Sequence, residues 1–535
     1  MSRYEGPPVV VIGGGPVGQT AALLLARWGI RSVLLERRPE RTAIGSRSIC
    51  QQRDVLDVWA AIGAERIADE GVTWTTARTF YRDRELFAWS FVDRGRSPLP
   101  PFVNISQSRT EQILDEAIAA ESLVEVRGGH EVTELAQDDT GVTVRCTTPE
   151  GDTTVRAPYV VAAFGGRGDR LRQQLGVEFH GRAFDDRFLI CDIRAELPGW
   201  ETERRFYFDP AWNPDRQVLI HPCPDSTYRI DWQVPADFDI DGEQASGALE
   251  ARIRKILGDR PYDVVWQSVY QFQTRHVDRM RVGRVLLAGD SAHLVAPFGA
   301  RGLNSGVPDA ENAAWKLAFV LHGWAPDALL DSYHDERMAA ALDNIEITSA
   351  TMRFLVPQTD DEWRTRREVL EASVADPKAQ ARVDSGRFAE PFWYVDSPLT
   401  TADPTRTFTG RPAKGETPPT VPGVLVPDAP VSMSHRPEVG RLRQLVRDGL
   451  LMLTTEGVDP DGVADALREG TAAPHQVVRL ADIDVDGAVE AALATRPGEA
   501  WLIRPDGHVA AVLAEPTPDA VRSAVQRTLA ATVRA

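Results

Sequence analysis

The sequence predicts an α/β protein: a Rossmann-like nucleotide-binding domain interrupted by a mainly β insertion and followed by a second, smaller α/β domain. Three observations predict it. The β-branched run Val9-Val10-Val11-Ile12 is followed by Gly13-x-Gly15-x-x-Gly18 and an Ala/Leu-rich stretch of helical length. Short aromatic-rich strands crowd residues 184–272, before another apolar strand, Val285-Leu286-Leu287, feeds a glycine-rich entry to a long helix. Beyond a Pro/Thr/Gly-rich stretch at 396–422, strands again alternate with helices.

The first strand, turn and helix organise the chain. Gly13 permits a tight turn, Gly15 lets a pyrophosphate approach the backbone, and Gly18 lets helix and strand pack closely, with the helix N-terminus facing the negative charge. Such a glycine pattern is weak alone. Here a second strand, Ser32-Val33-Leu34-Leu35, ends at Glu36, where an acid reaches a ribose hydroxyl. An acid at that place disfavours a 2′-phosphate, so FAD or NAD is expected rather than NADP.

Composition narrows the partners. With 535 residues and a 43% apolar fraction, the chain has material for two or three domains and a sizeable core. Sixty basic against 78 acidic side chains give a net charge of −18, which opposes binding to nucleic acid or an anionic membrane. No apolar run approaches the ~20 residues that span a bilayer, and the chain runs almost directly into its first strand, so a cytoplasmic protein is expected. Cys50, Cys146, Cys191 and Cys223 are far apart and form no metal-ligand spacing, so buried free thiols and no metal site are expected.

In order, Arg37, Arg38, Arg47 and Arg53 suit either a phosphate site or a solvated face. Val55–Gly63 reads as a short helix ended by glycine, and Asn104–Arg109 leads into a helix over 110–118. Val124–Val126, Val132–Leu135 and Val142–Val144 read as strands, with a turn at 138–141. A further strand, Tyr159–Ala163, feeds a second glycine-rich turn, Phe164-Gly165-Gly166-Arg167-Gly168. In the insertion, alternation puts Tyr228, Ile230 and Trp232 on one strand face and Arg229, Asp231 and Gln233 on the other. An aromatic face of this kind could cover a flat ligand or pack on its own core. The block Val285–Ala318 is a strand ending in Gly289-Asp290, a proline turn at Pro297 and the long helix. A carboxylate at such a strand end accepts hydrogen bonds from a polyol.

At these residues the chain resembles the single-component FAD-dependent aromatic hydroxylases, which include para-hydroxybenzoate, phenol and 3-(3-hydroxyphenyl)propionate hydroxylases. The likeness rests on Gly13, Gly15, Gly18 and Glu36, on Gln107 before its helix, and on Gly289-Asp290 with Pro297, Gly302 and Asn304. It implies an FAD-binding domain at 1–183 and 273–345, a substrate domain at 184–272, a helical segment and linker at 346–422, and a thioredoxin-like domain at 423–535. It also implies that Gly13, Gly15, Gly18 and Glu36 hold the ADP half of FAD, Arg47 and Gln107 the pyrophosphate and flavin regions, and Asp290 the ribityl chain. Pro297, Gly302, Leu303 and Asn304 would surround the flavin ring.

The implied activity is hydroxylation of an aromatic, phenolic or polyketide-like small molecule, with NAD(P)H as reductant and O2 captured as a flavin hydroperoxide. Acid–base candidates are His221, Tyr228 and Asp231, with Pro297 in the flavin-positioning turn; His293 is expected to be a satisfied core histidine. No cysteine follows Cys223, so the last domain lacks thioredoxin chemistry and is left with packing or homodimerisation, separable from the reaction. Three positions depart from the family pattern: Ser291, Arg301 and, above all, Phe164, which replaces an acid tied to nicotinamide docking. Two alternatives stand beside the hydroxylase: a flavin-binding protein with lost or altered nicotinamide reduction, and a flavin-free NAD dehydrogenase that leaves the second glycine block unused.

Overall fold

Consecutive β-branched residues crowd a helix at χ1 and suit a strand covered on both faces. In the computed structural model, which describes residues 3–41, 48–90, 97–411 and 419–531, Val9–Ile12 is such a strand, buried along its whole length. It lies inside a six-stranded sheet, paired in parallel with Ser32–Leu35 on one side and Val160–Ala162 on the other. Val124–Arg127 closes one edge; Val285–Leu287 and the antiparallel Arg281–Val282 close the other. The chain therefore leaves the first strand toward both sides of the sheet, which makes the C-terminal end of that strand the switch point where open α/β sheets bind ligands. Helices Pro16–Arg27 and Arg301–Leu321 pack against each other beside it.

The insertion forms one broad eight-stranded sheet. Its order is His293–Leu294, Asp263–Val277, Phe179–Arg194, Thr227–Val234, Gln217–Cys223, Glu203–Phe208, Thr76–Tyr81 and Arg84–Ser90. The expected 184–272 boundary is too narrow, because the hairpin at 76–90 joins through a parallel pairing of Thr76–Tyr81 with Glu203–Phe208. Local pattern shows that both segments are strands; their pairing across more than a hundred residues is a tertiary choice. One face packs Tyr228, Ile230 and Trp232 on Leu249, Ile253 and Leu257 of the helix Ala248–Leu257.

Helix Asp331–Leu355 continues past the expected end of the first domain, and Asp360–Ser373 follows. Within the described part of the expected linker at 396–422, Leu399, Thr400 and Val421 are buried, and Trp393 and Tyr394 just before it are buried as well. Beyond it stands a four-stranded sheet in the order His475–Arg479, Leu450–Thr454, Ala500–Ile503 and Val509–Leu513. It meets the first domain through buried charges. Arg504 grips Glu336 at 2.5 and 2.9 Å and Asp506 at 2.6 Å, while Lys316 reaches Glu336 at 2.7 Å. Arg447 bonds Asp57 at 2.6 Å and Glu311 at 2.8 Å, and Arg443 bonds Asp54 at 2.5 Å. Residues from about 420 onward, expected to be separable from the reaction, are thus tied to the first domain by buried ion pairs, and their removal takes charged partners from Glu336 and Asp57. Among the described residues no helix is long and apolar enough to cross a membrane.

Candidate active site

The turn after the first strand is closely packed at Gly13 and Gly18 and open at Gly15. At Gly13, φ is +104° and an added Cβ would lie 2.2 Å from the Ala163 carbonyl; at Gly18 it would lie 1.9 Å from the Gly13 carbonyl. At Gly15 it would meet nothing within 4 Å. No side chain caps the helix that starts at Pro16, so its first N–H groups face this open space. Glu36 ends its strand beside the turn and accepts the Gly14 N–H at 2.8 Å and the Arg38 N–H and Nε at 3.0 Å each. Burial works against its charge, but these donors outweigh it and hold the carboxyl below its ordinary range. Arg41 braces the turn by donating to the Gly14 carbonyl at 2.6 Å and to Glu111 at 2.7 Å.

Gly289-Asp290 forms the opposite lip. Gly289 has φ +60° and donates its N–H to the buried Asp309 at 2.9 Å; His293 Nε2 meets the same carboxyl oxygen at 2.7 Å, and Arg337 Nε the other at 2.7 Å. His293 is thus a buried core residue held through Nε2; the expectation that it is satisfied holds for that nitrogen only, since its Nδ1 has no hydrogen-bond partner among the described residues. Asp309 is buried, yet His293 and Arg337 hold its carboxyl below the usual range. The side chain of Asp290 is exposed on the cavity wall.

From Pro297 to Leu303 the chain lines the cavity, and Gln107 joins it from the first turn of its helix, accepting the Ser48 N–H at 3.1 Å. Asn304 does not line it. Its amide accepts the Gln52 N–H at 2.8 Å and donates to the carbonyls of Cys50 at 2.8 Å and Ala300 at 2.6 Å, so it ties the strand Cys50–Gln52 to the turn. Its side-chain amide, expected near the flavin ring, is thus engaged with backbone groups of the neighbouring segments. Arg301 is buried and donates to Asn344 at 2.6 Å and to the carbonyls of Phe388 at 2.9 Å and Arg387 at 3.2 Å, pinning that segment across the turn. Arg47 lies outside the described residues.

A single cavity of about 750 Å³ runs from Gly13, Gly15 and Glu36 past Asp290 and Pro297 to the broad sheet. Its far wall is aromatic and polar, with Trp74, Trp89, Trp266, Tyr270, Phe188 and Phe388 beside Arg204, His221, Arg229 and Asp231. His221 and Asp231 are therefore in the site. Tyr228 is not: it lies on the opposite face, where burial pushes its hydroxyl up to about 12. The face with Tyr228, Ile230 and Trp232 packs on its own helix, and the side facing the cavity is the one carrying Arg229 and Asp231. Burial in this wall pushes Asp231 up to about 7 despite Arg229, and keeps His221 neutral by lowering it well below its ordinary value, with Arg204 and Arg229 adding to the effect.

Phe164 also lines the cavity, its ring against Gly168 and 5.7 Å from the Arg172 guanidinium. The adjoining Gly165 N–H is accepted by Ser291 Oγ at 3.0 Å, and Arg172 donates to the Ser291 carbonyl at 3.1 Å and the Gly166 carbonyl at 2.6 Å. Two of the departures, Phe164 and Ser291, thus meet at one turn. The four cysteines are free; Cys50, Cys146 and Cys191 are buried and Cys223 is half-buried.

Sequence reasoning missed Arg204, Trp74, Trp266 and Asp309. For Arg204 a signal existed in Arg204-Arg205-Phe206-Tyr207-Phe208, whose alternation places Arg204 and Phe206 on one face. Nothing local marks which face meets the ligand.

The profile described as FAD binding domain matches residues 7–348. The 3-(3-hydroxy-phenyl)propionate/3-hydroxycinnamic acid hydroxylase of Mycobacterium sp. (strain JLS) is 32% identical over 385 residues, 71% of this chain and 66% of that protein's length. The 6-methylpretetramide 4-monooxygenase of Streptomyces rimosus is 29% identical over 533 residues, 95% of this chain and 91% of that protein. The crystal structure of the flavin-dependent monooxygenase PieE in complex with FAD and substrate shares the fold, with a TM-score of 0.83 at 24% identity over 99% of this chain and 100% of that one. With the glycine cradle, Glu36 and Asp290 set around one crevice, and with the profile spanning most of the chain, the protein belongs to the FAD-binding-domain family.

Proposed function

We propose that the protein is an FAD-dependent monooxygenase that hydroxylates an aromatic small molecule with NAD(P)H and O2. The observation that carries this reading is the continuity of the cavity: the dinucleotide cradle and an aromatic-lined wall enclose one space of about 750 Å³, large enough for a cofactor end and a flat ligand together. The similarity to two hydroxylating enzymes, the propionate/cinnamate hydroxylase and the pretetramide monooxygenase, supports it.

The residues present fit FAD. Gly13, Gly15 and Gly18 admit a pyrophosphate, Glu36 suits the ribose hydroxyls, Gln107 and Asp290 the middle of the cofactor, and Pro297, Gly302 and Leu303 the ring. When bound, the flavin supplies hydride acceptance from the nicotinamide and oxygen transfer. The chain's own contribution is placement and dryness. Trp74, Trp266 and Phe388 exclude water and offer faces for a planar ring. Asp231, held at about 7, exchanges a proton near neutrality, and His221, held neutral, offers ring nitrogens to a substrate hydroxyl. O2 as co-substrate, a homodimer and a cytoplasmic place of action belong to the same reading.

The test is steady-state NADH and NADPH oxidation by the flavin-loaded protein against a panel of phenols, with product mass. Gain of one oxygen atom supports the reading; oxidation with only peroxide as product defeats it. Phe164 favours a second reading, a flavoprotein with altered nicotinamide reduction, because phenylalanine accepts no hydrogen bond where the family carries an acid. Anaerobic reduction of the flavin separates the two: a flavin that no nicotinamide reduces, but that Phe164→Asp makes reducible, supports the second.

A further inference from the structure

The registers of the broad sheet place one rung of side chains across it, running from Trp89 through Arg204, His221, Arg229 and Asp192 to Trp266. Arg204 stands opposite His221 by continuation of the Arg205–Ile220 register. The two arginines of this rung differ. Arg229 is neutralised by Asp192 in a two-pronged pair at 2.7 and 2.9 Å. Arg204 is 8% exposed, donates to the Ser385 carbonyl at 3.1 Å, lies 5.3 Å over the Phe206 ring, and makes no ion pair among the described residues.

Burial lowers the Arg204 guanidinium to about 10, which still leaves it charged at neutral pH. The nearest acid in this wall, Asp231, sits one rung away, and burial keeps it near half-protonated at that pH. A buried cation without a counter-charge is costly, and a ligand anion relieves that cost. His221 Nδ1 and Asp231 Oδ1 are also buried in this wall with no hydrogen-bond partner among the described residues. Three polar groups with unused capacity, framed by Trp74, Trp89 and Trp266, therefore converge on one end of the cavity.

Resting on the hydroxylase reading, we infer that Arg204 sets substrate specificity, and that the substrate is a flat aromatic molecule bearing an anionic oxygen, a carboxylate or an ionised acidic phenol, seated on the Arg204 guanidinium. A planar guanidinium matches such a group with two parallel N–H donors, and the tryptophans take the ring faces. His221 then meets a neighbouring hydroxyl of the same ligand.

The test titrates the flavin-loaded wild type, Arg204→Gln and Arg204→Lys with 2-naphthoate, its methyl ester and alizarin, following the perturbation of flavin absorbance without any nicotinamide. The wild type should bind at least one anion roughly tenfold or more tighter than the neutral ester. Arg204→Gln should erase that preference and Arg204→Lys keep part of it, with flavin content unchanged as the check on folding. Preference for 2-naphthoate identifies the carboxylate, and preference for alizarin the ionised phenol. Equal affinity for ester and anions, a preference that survives in Arg204→Gln, or no binding of either anion by the flavin-loaded wild type overturns the inference. A wild type that retains no FAD defeats the hydroxylase reading itself, and the inference with it.

Discussion

Glu36 and Arg204 both point polar atoms into the same cavity, yet Glu36 already accepts from Gly14 and Arg38, whereas Arg204 holds one carbonyl and no counter-charge among the described residues. The cofactor end is made mostly of backbone and of side chains bonded to nearby backbone, so its shape exists before a ligand arrives. The proposed substrate end is made of side chains delivered by strands as distant as Arg84–Ser90 and Asp263–Val277, and two of its atoms, His221 Nδ1 and Asp231 Oδ1, have no hydrogen-bond partner among the described residues. The difference teaches where discrimination resides. On the proposed reading, a backbone cradle serves a ligand common to many proteins, and side chains such as Arg204, His221 and Asp231 serve the one that varies.

The largest effect should come from breaking the preformed end. Gly18→Val places a branched side chain where even a Cβ meets the Gly13 carbonyl at 1.9 Å, so the turn must open and the purified protein should carry no flavin absorbance. Flavin retained at wild-type stoichiometry would show that the cradle is not preformed in this sense. Arg504→Leu asks whether that end also depends on the C-terminal domain. It leaves Glu336 with Lys316 and no second cation, at about 3–5 kcal/mol, read from the urea unfolding curve with the slope held constant.

Asp290→Ala removes a carboxylate from the cavity lip and should weaken FAD binding by roughly ten- to 150-fold, or about 1.5–3 kcal/mol. An unchanged affinity would separate this lip from the cofactor. The smallest effect belongs to the substrate end and shows in pH dependence. Asp231 is held at about 7 against an ordinary 3.8, so folding favours its protonated form; its stabilising contribution is full below 3.8 and lost as pH rises to about 7. Above that pH its charge opposes an anionic ligand, so affinity for 2-naphthoate should fall by up to roughly tenfold through neutrality. Asp231→Asn should flatten both profiles. If both profiles keep their wild-type form, the titrating group is another one.

The motifs legible by themselves were those whose function lies in consecutive backbone. Gly13, Gly15, Gly18, Glu36 and Gly289-Asp290 were readable because a turn conformation and a strand end are local properties, and all of them lie within the residues that the family profile matches. The alternation of Tyr228 and Asp231 was equally readable, but an alternating strand has two faces and nothing within it says which one a helix will cover. Helix Ala248–Leu257 covers the Tyr228 side, and that packing turned Asp231 toward the cavity and Tyr228 away. The docking of the C-terminal domain was hidden for a similar reason, since Arg504 and Glu336 lie 168 residues apart and each reads as an ordinary surface charge until they meet in the core. The sequence by itself determined the cofactor cradle, because its information is carried in steps of one residue. Only the tertiary structure decided the substrate wall and the domain interface, because register, face and burial are set by partners distant in the chain.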